Sequence, residues 1–316
     1  MPALTVPAPA KLNLFLHVTG RRSDGYHELE SLFVALDYGD AITLVRRDDG
    51  AILRRNDVVG VPADSDLALR AARALQREAQ CGYGVEIEIS KRIPLGGGLG
   101  GGSSNAASVL LALKLDTACP WGVDIAVTKR IPLGAGMGGG SSDAATVLLA
   151  LNRLWELDLP RAALMRIGIA LGADVPFFLG GEPALARGIG ERLTAVTLPS
   201  FWVAVIVPPI AVPTAAIFAA PELTRNGASA KMEVFSEGYG RNDLQPIAVA
   251  RFPGIDAALG SLGGRSGCAR MTGSGGGVFA PFATEAKARA AIDAKPPATF
   301  GFVARTLARH PLAAFA

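Results

Sequence analysis

A tandem repeat constrains this chain more than any other feature. Cys81–Leu113 and Cys119–Leu151 align without gaps at 23 of 33 positions, with an offset of 38 residues. Each copy predicts an alternating strand (Val85, Ile87, Ile89; Val123, Ile125, Val127), a glycine-serine loop and an apolar helix. The loops read Lys91-Arg-Ile-Pro-Leu-Gly-Gly-Gly-Leu-Gly-Gly-Gly-Ser-Ser-Asn105 and Lys129-Arg-Ile-Pro-Leu-Gly-Ala-Gly-Met-Gly-Gly-Gly-Ser-Ser-Asp143. No third copy follows, so this is a local duplication and not a solenoid period.

A glycine-rich bend between a strand and a helix has one obvious use. Without Cβ atoms the chain can turn its amides inward, and the serines open a helix whose first N–H groups lack partners. Such a terminus favours an anion, and the pattern predicts a phosphate cradle and hence a nucleotide. The loop is not the GxxxxGK[ST] phosphate loop, because no lysine precedes Ser141-Ser142. It also lacks the GxGxxG unit with a downstream ribose carboxylate. A flexible Gly-Ser linker is the bland alternative. Strand and helix signals on both sides, and Ser-Ser-Asp/Asn as N-cap chemistry, argue against it. The second copy has the longer helical continuation, through Asn152 and into Arg161–Leu171, and is the favoured working site.

The rest of the chain sets limits. Its 316 residues suit one large domain or two ordinary ones, and with half of them hydrophobic a substantial core is available. A net charge of +3 without basic runs gives no case for nucleic acid. Cys81, Cys119 and Cys268 show no metal-binding spacing, and no metal site is expected in the protein itself. The N-terminus has no secretion signal, so the expected location is cytoplasmic. Leu193–Pro221 is uncharged, but five prolines interrupt it, which favours buried strands over a membrane helix.

Ala10–Val18 alternates strictly and predicts a half-buried strand, with Lys11, Asn13, Phe15 and His17 on one face. Asp24-Gly25 marks a turn, Leu32–Leu36 and Ala41–Val45 two further strands, and Asp66–Leu75 an amphipathic helix. A third glycine cluster, Met271–Phe279, leads into the apolar Val278–Phe282. A domain boundary is expected near residue 190, giving 1–190 and 191–316. Taken singly, Lys11 is an ordinary lysine, Asp174 a turn residue, and Tyr26, His27 and Phe218 surface or core residues.

Taken together, they form a pattern. Pro7-Ala-Pro-Ala-Lys-Leu-Asn-Leu14, Asp24-Gly-Tyr-His27, the glycine-serine loop, Leu171-Gly-Ala-Asp-Val-Pro176 and Thr272-Gly-Ser-Gly275 occur in this order. The chain thereby resembles the GHMP kinase superfamily over nearly its whole length, apart from one surplus unit of about 76–113. Within it the similarity is to the branch that phosphorylates a cytidine diphosphate-linked methylerythritol in non-mevalonate isoprenoid synthesis.

The resemblance implies an α+β fold of two domains, an N-terminal ATP domain like ribosomal protein S5 and a ferredoxin-like C-terminal one. It implies ATP and Mg²⁺ as cofactors, a small-molecule substrate, no nucleic acid or membrane partner, and a monomer or homodimer. The ATP loop would comprise Pro132, Leu133, Gly134, Ala135, Gly136, Met137, Gly138, Gly139, Gly140, Ser141 and Ser142. Asp174 would be the general base and Lys11 the cation that stabilises the emerging alkoxide. Asn13, Tyr26, His27, Thr214 and Phe218 would bind substrate, the aromatics stacking on cytosine. Gly273, Ser274 and Gly275 would support the phosphate loop. Two alternatives stay open: a sibling kinase for mevalonate- or homoserine-like alcohols, or a nucleotide-binding protein impaired by the duplication. Either loop copy, Gly96–Ser104 or Gly134–Ser142, could fill the one site.

Overall fold

The computed structural model describes residues 3–47, 53–54, 86–91, 122–129, 136–154, 159–229, 240–266 and 268–315. Two long antiparallel strands, β1 (Ala3–Arg21) and β2 (His27–Arg47), form its spine. Gly25, at φ +91°, makes the turn between them that Asp24-Gly25 predicts. β1 lines one edge of β2 throughout, from Ala3↔Val45 to Arg21↔His27. The other edge of β2 serves three partners in turn: β6 (Ala184–Gly188) along Leu29–Phe33, β11 (Phe300–Leu307) at Ala35 and Leu36, and β5 (Gly122–Lys129) along Ala41–Arg47. The expected strands Leu32–Leu36 and Ala41–Val45 are thus one strand. Pairing with β1 at Gly39 and Asp40, between the β11 and β5 pairings on the other edge, carries it through Asp37–Asp40, which reads locally as a break.

The sheet continues from β11 to β8 (Trp202–Val207), β10 (Val278–Phe282) and β9 (Arg270–Met271). In the other direction β5 is followed by β4 (Glu86–Lys91) and β3 (Leu53–Arg54). β4 and β5 are the strands of the two repeat copies. They lie parallel, with Ile87 opposite Ile125 and Lys91 opposite Lys129, which is the offset of the repeat itself. The surplus strand therefore enlarges the sheet, between β3 and β5, and leaves β5 in its place beside β2. The first copy's loop and helix, and Asp66–Leu75, lie outside the described residues.

Helices cover the sheet. Among them, α1 (Gly139–Leu154), α2 (Arg161–Leu171) and the short α3 (Val175–Gly180) pack with Val6, Ala8, Phe33 and Ala35 into one core. Every residue of α1 from Ser142 to Ala150 is buried, which suits its run of alanine, leucine and valine and marks a central helix rather than a surface one. A second core joins Leu16 and Val18 to β8, β10, α4 (Thr214–Phe218), α5 (Gln245–Arg251), α6 (Pro253–Ser266) and α7 (Glu285–Asp293). A third lies under Ala10, Leu12, Leu14 and Phe15.

β1 feeds all three cores, so it is buried on both faces and not half-buried as expected; Lys11, Asn13, Phe15 and His17 are all below 5% exposed. Its alternation also slips. A register shift between Asn13 and Leu16 turns Leu16 toward the same cleft as Lys11 and Asn13. The uncharged stretch Leu193–Pro221 holds one buried strand, β8, and the helix α4, where buried strands alone were expected. Among the described residues no helix is long and apolar enough to cross a membrane. Residue 190 falls in the hairpin between β6 and β7 (Arg192–Ala195), whose strands pair from Ala184↔Ala195 to Arg187↔Arg192.

Candidate active site

The site forms where β1, the second glycine loop and the third glycine cluster meet. Lys11 donates its backbone N–H to the carbonyl of Met137 at 3.0 Å, while the Met137 side chain, 1% exposed, anchors the loop in the third core. Gly138 has φ +64° and passes so close to Lys11 that a Cβ would lie 3.0 Å from its Cε. Gly136 has φ +75° and abuts the Thr272 carbonyl, which a Cβ would approach to 2.4 Å. Only glycine meets both the conformation and the space at these positions. Helix α1 starts at once, with the Ser142 amide donating to the Gly138 carbonyl at 2.9 Å.

Asp174 arrives from the other side. It is the N-cap residue of α3, but its side chain makes no capping bond. Instead Oδ2 lies 3.2 Å from Lys11 Nζ, and a third of the aspartate side chain is exposed to the cleft. The buried ammonium also donates to Asn13 Oδ1 at 3.0 Å and sits 3.9 Å from the Phe33 ring centroid. A charge taken out of water at this depth requires such an array of partners. Asn13 is fixed in turn: its backbone N–H donates to Thr272 Oγ1 at 2.9 Å, and Nδ2 donates to Ser31 Oγ at 2.7 Å.

The cleft holds about 640 Å³ of empty space, and Gly136, Gly138, Gly273, Ser274 and Phe218 line it with Lys11, Asn13 and Asp174. Thr214, exposed at the start of α4, shares a hydrogen bond of 2.9 Å with Ser274. Beyond Phe218 the ring of His27 follows at 5.2 Å, tilted by 32°. Arg225 Nε donates to His27 Nε2 at 3.1 Å, so the neutral ring carries its proton on Nδ1. Burial, then the Arg225 and Arg21 charges, push the His27 pKa below its usual value. This favours the neutral ring, which accepts from Arg225 and keeps its Nδ1–H as a donor.

Most of the expected residues are therefore neighbours. Gly275 borders Gly136 through its amide, and Gly139, Gly140, Ser141 and Ser142 form the first turn of α1. Pro132, Leu133, Gly134 and Ala135 lie outside the described residues. Tyr26 stands apart, 61% exposed at the β1–β2 turn and not among the residues lining the cleft. Sequence reasoning passed over Ser31, Phe33 and Arg225. Each sits in a stretch where nothing but its three-dimensional neighbours distinguishes it.

The model of the GHMP kinases N terminal domain matches twice, at residues 66–118 and 114–182, once for each copy, and that of the GHMP kinases C terminal matches residues 220–296. A 4-diphosphocytidyl-2-C-methyl-D-erythritol kinase of Thiobacillus denitrificans is 50% identical over 306 residues, covering 97% of this chain and 96% of its own length. One of Ralstonia pickettii is 48% identical over 315 residues, with 98% and 96% covered. A crystal structure of 4-(cytidine 5'-diphospho)-2C-methyl-D-erythritol kinase superposes with TM-score 0.70 at 32% identity, over 96% of this chain and 99% of the other. A homoserine kinase from Cytophaga hutchinsonii shares the fold at TM-score 0.59 and 15% identity, over 98% of this chain and 96% of its own. By these matches this chain belongs to the GHMP kinases, in the 4-diphosphocytidyl-2-C-methyl-D-erythritol kinase family.

Proposed function

We propose that this kinase transfers the γ-phosphoryl group of ATP to the 2-hydroxyl of 4-diphosphocytidyl-2-C-methyl-D-erythritol. The observation that carries the reading is the Lys11–Asp174 pair, held at 3.2 Å in a cleft lined by Gly136 and Gly138. Asp174 takes the proton of the attacking alcohol, the new O–P bond forms at the γ-phosphorus, and the bond to the β-phosphate oxygen breaks to release ADP. Lys11 keeps one N–H directed at the carboxylate and offsets the negative charge that grows on the alcohol oxygen. Phosphoryl transfer asks a protein mainly for positioning and charge, and both are supplied here by groups already ordered.

The loop amides and the start of α1 receive the triphosphate. Mg²⁺ bound with the nucleotide would neutralise its phosphate charge, and Ser142 fits as a partner, because its buried hydroxyl has no hydrogen bond among the described residues. His27 and Phe218 receive the cytosine: the ring of Phe218 by contact, the imidazole by donating its Nδ1–H. The exposed Tyr26 can close over the base once it is bound.

ADP release measured with the cytidylyl substrate, mevalonate and homoserine tests this reading. Turnover confined to the cytidylyl substrate is expected; comparable kcat/KM for an unadorned alcohol would overturn the assignment. Nucleotide binding without any substrate-dependent ADP release would make it a binding protein. Asp174→Asn is expected to lower kcat by about 10²–10⁴-fold while ATP binding persists. Unchanged turnover in that variant would remove Asp174 from the chemistry.

A further inference from the structure

Lys11 reaches Asp174 with a defined N–H only if its other acceptor, Asn13 Oδ1, stays turned toward it. An asparagine amide has no intrinsic preference for either orientation; its neighbours decide. Here the decision starts at a backbone carbonyl. Phe15 O can only accept, and Ser31 Oγ donates to it at 2.6 Å. The single hydroxyl proton of Ser31 is thereby committed, so toward Asn13 the Ser31 oxygen can only accept. It lies 2.7 Å from Asn13 Nδ2, and this turns Asn13 Oδ1 to Lys11 Nζ at 3.0 Å. The ammonium then points a further N–H at Asp174 Oδ2.

With Asn13 reversed, its NH₂ group would face the ammonium and its oxygen would face the oxygen of Ser31. Both contacts would be repulsive. The chain Phe15–Ser31–Asn13–Lys11–Asp174 thus runs in one direction only, and its first four members lie at 4% exposure or less. The Phe15 carbonyl lies within the register shift between Asn13 and Leu16, where it accepts from the Ser31 hydroxyl.

We propose that Ser31 is a positioning residue for phosphoryl transfer: it locks the amide of Asn13 and so aims the ammonium of Lys11 at Asp174. This rests on the function proposed above. Ser31→Ala leaves the fold and the phosphate loop in place but releases the amide. Its kcat is expected to fall about tenfold, in line with losing one buried hydrogen bond, while KM for ATP stays within about twofold. In an Asn13→Ala background the same change is expected to alter kcat less than about twofold, because its only route of action is gone.

A reading independent of catalysis is solvent exchange of the Asn13 side-chain amide protons, assigned by their absence in Asn13→Ala. Their protection is expected to drop at least about tenfold in Ser31→Ala. An unchanged kcat, an equal loss in both backgrounds, or undiminished amide protection would each overturn the proposal. If Ser31→Ala does not fold, Ser31→Cys, of similar size and with a weak donor, takes its place with the same expectations. Should the parent protein show no turnover with the cytidylyl substrate, the reading of its function fails and amide exchange alone judges Ser31.

Discussion

The two repeat copies differ at ten of 33 positions, and among the described residues it is the second that places its loop against Lys11 and lines the cleft with Asp174. Their interiors do not explain this. Ala144, Ala145, Val147, Leu148, Leu149 and Ala150, all buried in α1, have identical counterparts in Ala106, Ala107, Val109, Leu110, Leu111 and Ala112. The first residue beyond the repeat does differ: Lys114 after the first copy, Asn152 after the second. Asn152 is 4% exposed, donates to the Leu159 carbonyl at 3.1 Å and accepts from the Leu159 amide at 3.0 Å; it also lies 3.5 Å from the Phe315 carbonyl. A lysine there would bury an ammonium and leave the Leu159 amide without its acceptor. Two helix sequences with the same apolar residues thus differ in the polar residue at their junction.

The largest effect should come from the loop itself. Gly136→Ala forces a Cβ to within 2.4 Å of the Thr272 carbonyl at φ +75°, and turnover is expected to fall about 100-fold or more. The matching change, Gly98→Ala, is expected to stay within about twofold. Equal losses would show that both loops serve the reaction, and would break the distinction between the copies.

A pair of deletions sharpens it. Removing 114–151 joins Leu113 to Asn152, so that the first copy inherits the polar bracket, and an active enzyme close to the parent in stability is expected. Removing 115–152 differs only by leaving Lys114 in that place. It is expected to be less stable by about 3 kcal/mol, read by thermal or denaturant unfolding. Equal stabilities would assign the choice to some other contact.

A smaller effect concerns the floor beneath the chosen helix. The C-terminal 3₁₀ turn Ala313–Phe315 packs under α1, and His310, just before it, donates its amide to the Gly181 carbonyl. Burial, then the Arg161 charge, lower the His310 pKa from 6.5 to about 4. The folded state thus binds its proton less readily than the unfolded one. The associated stability is complete above pH 6.5 and is lost as pH falls from there through about 4. At pH 5 the loss is about 2 kcal/mol, and His310→Gln is expected to flatten that part of the unfolding profile. An unchanged slope would show that other groups set the acid limit.

Much of this was legible in the sequence, for reasons that differ by element. Arg161–Leu171 is formed as expected, because an apolar period bounded by Pro160 and Gly172 defines it locally. The second copy was favoured for its longer helix, but the bond network of Asn152 was invisible, since its partners lie 7 and 163 residues away. The slip of β1 at Phe15 was equally hidden. A strict two-residue period continues through it in the sequence, and only the pairing with β2 reveals the extra residue. Arg225, which fixes the tautomer of His27, is 198 residues distant from it. Contacts of that span leave no local trace.

The side-by-side register of β4 and β5 bears on how enzymes of this kind grow. A copied strand that brings its own spacing and about 30 intervening residues, enough for a crossover, can be taken into a parallel sheet as one further rung. Gene duplication can then lengthen a catalytic domain in a single event without dismantling the reaction centre.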